Sequence, residues 1–164
     1  MRKDRITCIV VFSLVAAIGW EAPAQETSTT EERARWVDIT HKLETNPLDE
    51  SLNKDGESAL TRLSDVHDIH VPLCPAFLNE FNGMKYSYSH AITRQYMLAS
   101  ATFMIENPAK AEDANAVNLA GVESVLKLYD SILKQKPNAK AKALDDLRQK
   151  QSQGKLPDSV RKKC

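Results

Sequence analysis

From Tyr96 to Ile105 the chain runs ten residues without a charge, inside a longer segment, Ser89–Asn107, whose apolar positions recur at helical spacing. Ile92, Tyr96, Ala99 and Phe103 form one stripe, and Leu98, Ala101 and Ile105 form a second. A helix that is apolar around most of its circumference has to be covered on several sides. This one is too short, and too polar at its ends, to span a bilayer. The pattern therefore predicts a central helix, residues 89–107, buried within a bundle.

The cover is predicted from the same periodicity elsewhere. Thr29-Thr30-Glu31-Glu32 has the Thr-x-x-Glu form of a capping box and opens a first helix, with Trp36, Ile39, Thr40 and Leu43 on its buried face. Pro47 pushes Asn46 out of helical geometry and ends it. A second helix starts near Asp49 and buries Leu52, Gly56, Ala59, Leu60 and Leu63. In His67–Pro75 two prolines force Val71 and Cys74 to be extended. Pro75 then begins a short helix that plugs the core with Phe77, Leu78 and Phe81 and stops at Gly83. Ser87 or Ser89 is the expected cap of the central helix, and Asn107-Pro108 its end. The longest helix spans about 110–136, a shorter one capped by Asn138 ends at Gly154, and a last turn or helix passes through Val160. With no convincing period-2 segment, the expected fold is all-α. It is a compact bundle of antiparallel hairpins, five to seven helices around 89–107.

Two of the turns, Lys42–Asp49 and Leu133–Ala139, carry an apolar residue, a few polar ones and a proline before the next helix. They resemble the inter-repeat turn of tetratricopeptide proteins, and Tyr129, eight residues before Pro137, resembles that family's aromatic position. Prolines 47, 108 and 137 are 61 and 29 residues apart, so the 34-residue period of that family is missing. The resemblance implies antiparallel helical hairpins and names no ligand. More broadly, the chain resembles the small exported helical proteins of bacteria that carry no recognised function.

Export is read from the first two dozen residues. Arg2, Lys3 and Arg5 precede an apolar run from Ile6 to Trp20, and Ala22-Pro23-Ala24 is a small-x-small cleavage site. The expected division is a signal peptide at 1–24, a mobile leader at 25–30 and one helical domain at 31–164. The expected location is periplasmic or secreted, with no stable membrane span after cleavage. An uncleaved N-terminal anchor is the alternative.

Charge is uneven along the mature chain. Residues 25–133 hold nine basic and seventeen acidic side chains, whereas residues 134–164 hold ten basic and three acidic. The basic segment can dock on its own acidic body, on a partner or on an anionic surface; self-docking is the simplest outcome. The segment has no aromatic residue to stack on bases, and export also argues against nucleic acid. Two cysteines survive processing, Cys74 and Cys164. In an oxidising compartment they are expected to pair, the rivals being an intermolecular bridge or two free thiols.

Candidate chemistry is sparse. His67 and His70, with Cys74 and two aspartates nearby, are the densest metal-capable cluster. They fall short of the four firmly spaced ligands of a structural zinc site, and histidines at a frayed helix end are the plainer account. Tyr86, Tyr88 and His90 form a polar-aromatic cluster suited to a glycan or peptide partner, or to rings tucked on the core with wet hydroxyls. No Gly-x-Ser-x-Gly, His-Glu-x-x-His, phosphate-binding loop or Cys-x-x-Cys is present, so neither an enzyme nor a cofactor is expected. The reading is an exported, non-catalytic binding protein whose partner is another protein of the bacterial envelope. The alternative is a metal- or small-ligand-binding periplasmic protein using His67 and His70. Intact mass of the exported protein should show a chain beginning at Gln25 with no alkylatable thiol. Two alkylatable thiols in the native monomer would rule out the bridge.

Overall fold

The computed structural model describes residues 26–164. The expected signal peptide and cleavage site lie outside the described residues. Those residues form seven α-helices and one 3-10 turn, with no strand among them. The helices are α1 (Thr30–Thr45), α2 (Glu50–Asp65), α3 (Pro75–Gly83), α4 (Ser89–Glu106), α5 (Ala114–Gln135), α6 (Lys142–Ser152) and α7 (Leu156–Lys163), and Pro108–Lys110 is the 3-10 turn.

Local chemistry sets most of the boundaries. The capping box at Thr29 is complete: its hydroxyl accepts from the Glu32 amide, and the Glu32 carboxylate accepts from the Thr29 amide. Asp49 caps α2 through the Leu52 amide. Three of the interruptions are the same turn. Asn46, Asn107 and Lys136 each precede a proline and sit at φ between −127° and −134° with ψ between 58° and 76°. Each donates its amide to the carbonyl four residues back and accepts from the amide three residues on. The proline ring excludes the helical region for the residue before it, so the chain turns at the same point each time.

Some starts differ from the sequence reading. Helix α5 begins at Ala114, because Asp113 accepts from the Asn115 and Ala116 amides and the residues after Pro108 turn first. Helix α4 is entered through Tyr88, and α6 through Ala141 in place of Asn138; neither has a side-chain cap. At Gly154, φ is +67°, a left-handed conformation that ends the α6 region without a Cβ penalty.

Helix α4 is the buried centre, covered by α1, α2, α3 and α5. Tyr96, Phe77 and Phe81 pack with ring centroids 5.5–6.1 Å apart at its heart. Its closest neighbour is α5, antiparallel to it and drawn in at Gly121. A β-carbon there would collide with Ser100 Oγ and come within 2.8 Å of the Tyr96 ring. Gly56 plays the same part where α2 crosses α1 and α4, with Leu43 and Arg94 3.0 and 3.1 Å from the missing β-carbon. The polar start of α4 does not stay outside. Arg94 and Gln95 are fully enclosed, which the charge-free pattern beginning at Tyr96 did not indicate.

Gly121→Ala tests the crossing. Better helix propensity should return less than 1 kcal/mol, and crowding the Tyr96 ring should cost more, for a net loss of about 1–2 kcal/mol. A thermal midpoint at or above that of the parent would show that the two helices approach less closely than described.

Candidate functional site

The connector between α2 and α3, residues 66–74, organises an open apolar surface of the molecule. It leaves α2 at Val66 (φ −84°, ψ 147°) and reaches Cys74 still extended (φ −77°, ψ 115°). Pro72 and Pro75 keep Val71 and Cys74 extended between those ends. Its far end is anchored deep. The Cys74 amide donates to Tyr96 Oη at 3.0 Å and to Asn118 Oδ1 at 2.9 Å, while Asn118 Nδ2 donates to the Pro72 carbonyl at 2.8 Å. Cys74 is buried and bonded to Cys164. The expected pairing is therefore formed within the chain, across 90 residues.

Beside this connector lies a groove of about 540 Å³, lined mainly by Leu60, Leu63, Ile69, Val71, Leu73 and Met97. That volume falls within the range of roughly 300–1,000 Å³ common for ligand sites. His67, His70 and Ser64 supply its polar lining. A second hollow of about 370 Å³ opens between the connector and α4–α5, lined in part by Met104, Ile105, Pro108 and Glu112. Ile69 and His70 line both hollows, so the connector is the rib between them.

Residues 26–29 are not a free leader. The Glu26 carbonyl accepts from the His67 amide at 3.0 Å, and the Glu26 carboxylate pairs with Arg62. Arg62 also holds Glu32, at 2.7 Å. Ser28 donates its amide and hydroxyl to Asp68 at 3.0 and 2.8 Å, and Arg33 completes the set at 2.7 Å. The segment is a strap across the first half of the connector. Partial burial opposes ionisation of Asp68, but the donors from Ser28 and Arg33 outweigh it and hold the carboxyl down at about 2.

The two predicted clusters fare differently from each other. His67 and His70 are both exposed and both line the large groove, and neither imidazole has a hydrogen-bond or ion-pair partner among the described residues. Cys74, the third ligand considered with them, is committed to its disulfide. No group of three or more His, Cys, Asp or Glu side chains is arranged for a metal ion among the described residues. The Tyr86–His90 cluster divides. Tyr86 packs edge-on against Tyr88 and Tyr129 and donates its hydroxyl to the Ala139 carbonyl at 3.1 Å. Burial, then the neighbouring phenols and Asp145, push that hydroxyl well above the usual tyrosine range. His90 instead faces α2, 3.3 Å from Glu57.

The basic C-terminal segment meets the acidic body in two places. Arg148 binds Asp130 at 2.7 Å, and Lys163 pairs with Glu80 while its ammonium sits 4.5 Å from the Phe77 ring centroid. A small cleft of about 160 Å³ is lined by exposed Lys127, which pairs at 3.2 Å with the largely buried Glu44 at the end of a buried polar chain. There Gln95 Nε2 donates to Ser124 Oγ at 2.8 Å, and Ser124 donates to Glu44 at 2.7 Å. The groove and this chain were both missed from sequence. Ile69-His70-Val71-Pro72-Leu73 does alternate apolar with other residues, and that short alternation was the available signal for the groove.

No family model, curated protein or solved structure matches this chain.

Because the folded pKa of Asp68 lies below the ordinary value near 4, its contribution to strap docking is complete above about pH 4. It should fade as pH falls toward 2. Hydrogen exchange at the Ser28 amide should therefore stay slow at pH 5, and Asp68→Asn should make it fast there. Slow exchange in that variant would mean that Asp68 does not hold the strap.

Proposed function

We propose that this chain is an exported, non-catalytic binding protein that acts by engaging another protein of the bacterial envelope through the groove beside residues 66–74. The observation that carries the reading is the partly exposed apolar lining of that groove. Leu60, Ile69, Val71, Leu73 and Met97 stay partly open to solvent together, along one concave surface against the sealed core. Open apolar surface of this kind marks interaction sites. The frame around it is stiff, being anchored by the disulfide at one end of the connector and by the strap near the other. A preformed surface loses little conformational entropy on binding.

Export is part of the proposal. The support is the basic-apolar-small order of residues 1–24 together with a disulfide that needs an oxidising compartment to persist. No helix among the described residues is long and apolar enough to cross a membrane. Self-docking of the basic segment through Arg148 and Lys163 leaves the groove as the more open candidate for recognition.

A photo-crosslinking amino acid at Val71 should capture one discrete protein in intact cells. The same group at Lys150, on the exposed side of α6, should not. Ile69→Asp should abolish the Val71 product while leaving the thermal midpoint within a few degrees. Equal yields from the two sites would defeat the reading.

A further inference from the structure

We infer that the connector recognises an extended, apolar peptide segment with basic flanks, which pairs with the backbone of residues 69–71 and places alternate side chains in the two hollows. This inference rests on the protein-binding reading above and adds the class of partner and its geometry.

Three observations carry it. The first is a backbone without partners. The Ile69, His70 and Val71 amides and the Ile69 and His70 carbonyls make no hydrogen bond to protein among the described residues. Every buried or newly covered backbone group needs a partner, so a ligand lying here is required to supply donors and acceptors along its own length. An extended peptide does this by strand addition. The strap already shows the beginning of such pairing one step earlier, where the Glu26 carbonyl accepts from the His67 amide at 3.0 Å.

The second is the pair of hollows, one mainly apolar and the other mixed, with Arg33, Asp68 and Glu112 beside its apolar residues. Side chains of an extended peptide point alternately to opposite faces, so a segment lying along the connector presents one set to each side. The groove of about 540 Å³ takes one set against Leu60, Leu73 and Met97. The hollow of about 370 Å³ takes the other against Met104, Ile105 and Pro108. An amphipathic helix would need one uninterrupted trough, and the Ile69-His70 rib divides this surface in two.

The third is charge. Asp65 is exposed at the C-terminal end of α2, where the helix dipole adds negative potential, and Glu112 lines the second hollow. Arg33, which lines the second hollow, and Arg62, which holds the strap, are already paired with Asp68, Glu26 and Glu32, and near the Cys74 end Arg161 is paired with Asp158 and Lys163 with Glu80. A basic flank is therefore favoured and an acidic one repelled.

The test uses the oxidised protein and a fluorescein-labelled peptide, Lys-Lys-Val-Thr-Ile-Thr-Val-Lys-Lys, followed by fluorescence anisotropy. Saturable binding is expected, weakened at least tenfold by exchanging the lysines for glutamates and by Ile69→Asp in the protein. N-methylation of alternate amides should abolish binding in one register and spare it in the other, because only one edge of the peptide faces the connector. Hydrogen exchange at Ile69–Val71 should slow when the peptide is added. If neither N-methylated form differs from the parent, or those amides exchange as before, backbone pairing is wrong. If the glutamate form binds as well, the charge argument is wrong. A crosslink at Val71 in cells without binding of the peptide would leave the protein-binding reading standing and overturn this inference alone.

Discussion

Arg94 is 3% exposed in the middle of the bundle, with its guanidinium against Glu57 at 2.5 Å and the Asn53 side chain. One residue on, Gln95 is wholly enclosed and donates to the Thr40 carbonyl at 3.1 Å and to Ser124 at 2.8 Å. Burying these groups without partners would cost several kcal/mol. Helix α4 can sit at the centre only if α1, α2 and α5 arrive in the register that supplies Thr40, Asn53, Glu57 and Ser124. Apolar contact alone would tolerate sliding between helices; the polar side chains of α4 do not. That requirement fixes how the layers of the bundle meet, and so where the surface beside α2 and α4 stays open.

A second node ties the site to this centre. Tyr96 and Asn118 are hydrogen-bonded to each other, and both accept from the amide of Cys74. The covalent link to Cys164 therefore ends on a residue already held by α4 and α5. Closing a loop of 90 residues is worth about 4–5 kcal/mol in the chain-entropy model, and it keeps the eight-residue α7 in place with only Leu156 and Val160 buried.

What could be read from the sequence was what depends on a few neighbouring residues. The capping box at Thr29, the start of α2 near Asp49 and the three residue–proline turns are set within one helical turn of chain, and they appear where their residues stand. The central helix was legible because ten uncharged residues leave few alternatives, and the cysteine pair because only two cysteines follow residue 24. The strap was not legible. Glu26 and Ser28 look like polar leader until Arg62 and Asp68, about 40 residues on, are brought beside them. The burial of Arg94 and Gln95 was hidden for the same reason, since their partners come from three other helices. The groove fell between scales: five alternating residues are too few to distinguish from an ordinary connection, and its other wall comes from α2 and α4.

The position of the disulfide also decides how the molecule would carry load. Tension entering at Cys164 passes through the sulfur bridge to Cys74 and bypasses α3 to α7 altogether. All extension is then drawn from the chain ahead of Cys74, and the stretch nearest the bridge is the connector. If Cys164 and the chain ahead of α1 were pulled apart, the connector would be first in line on the path of force. Its docking surface would respond to pulling while the closed loop behind it kept its length.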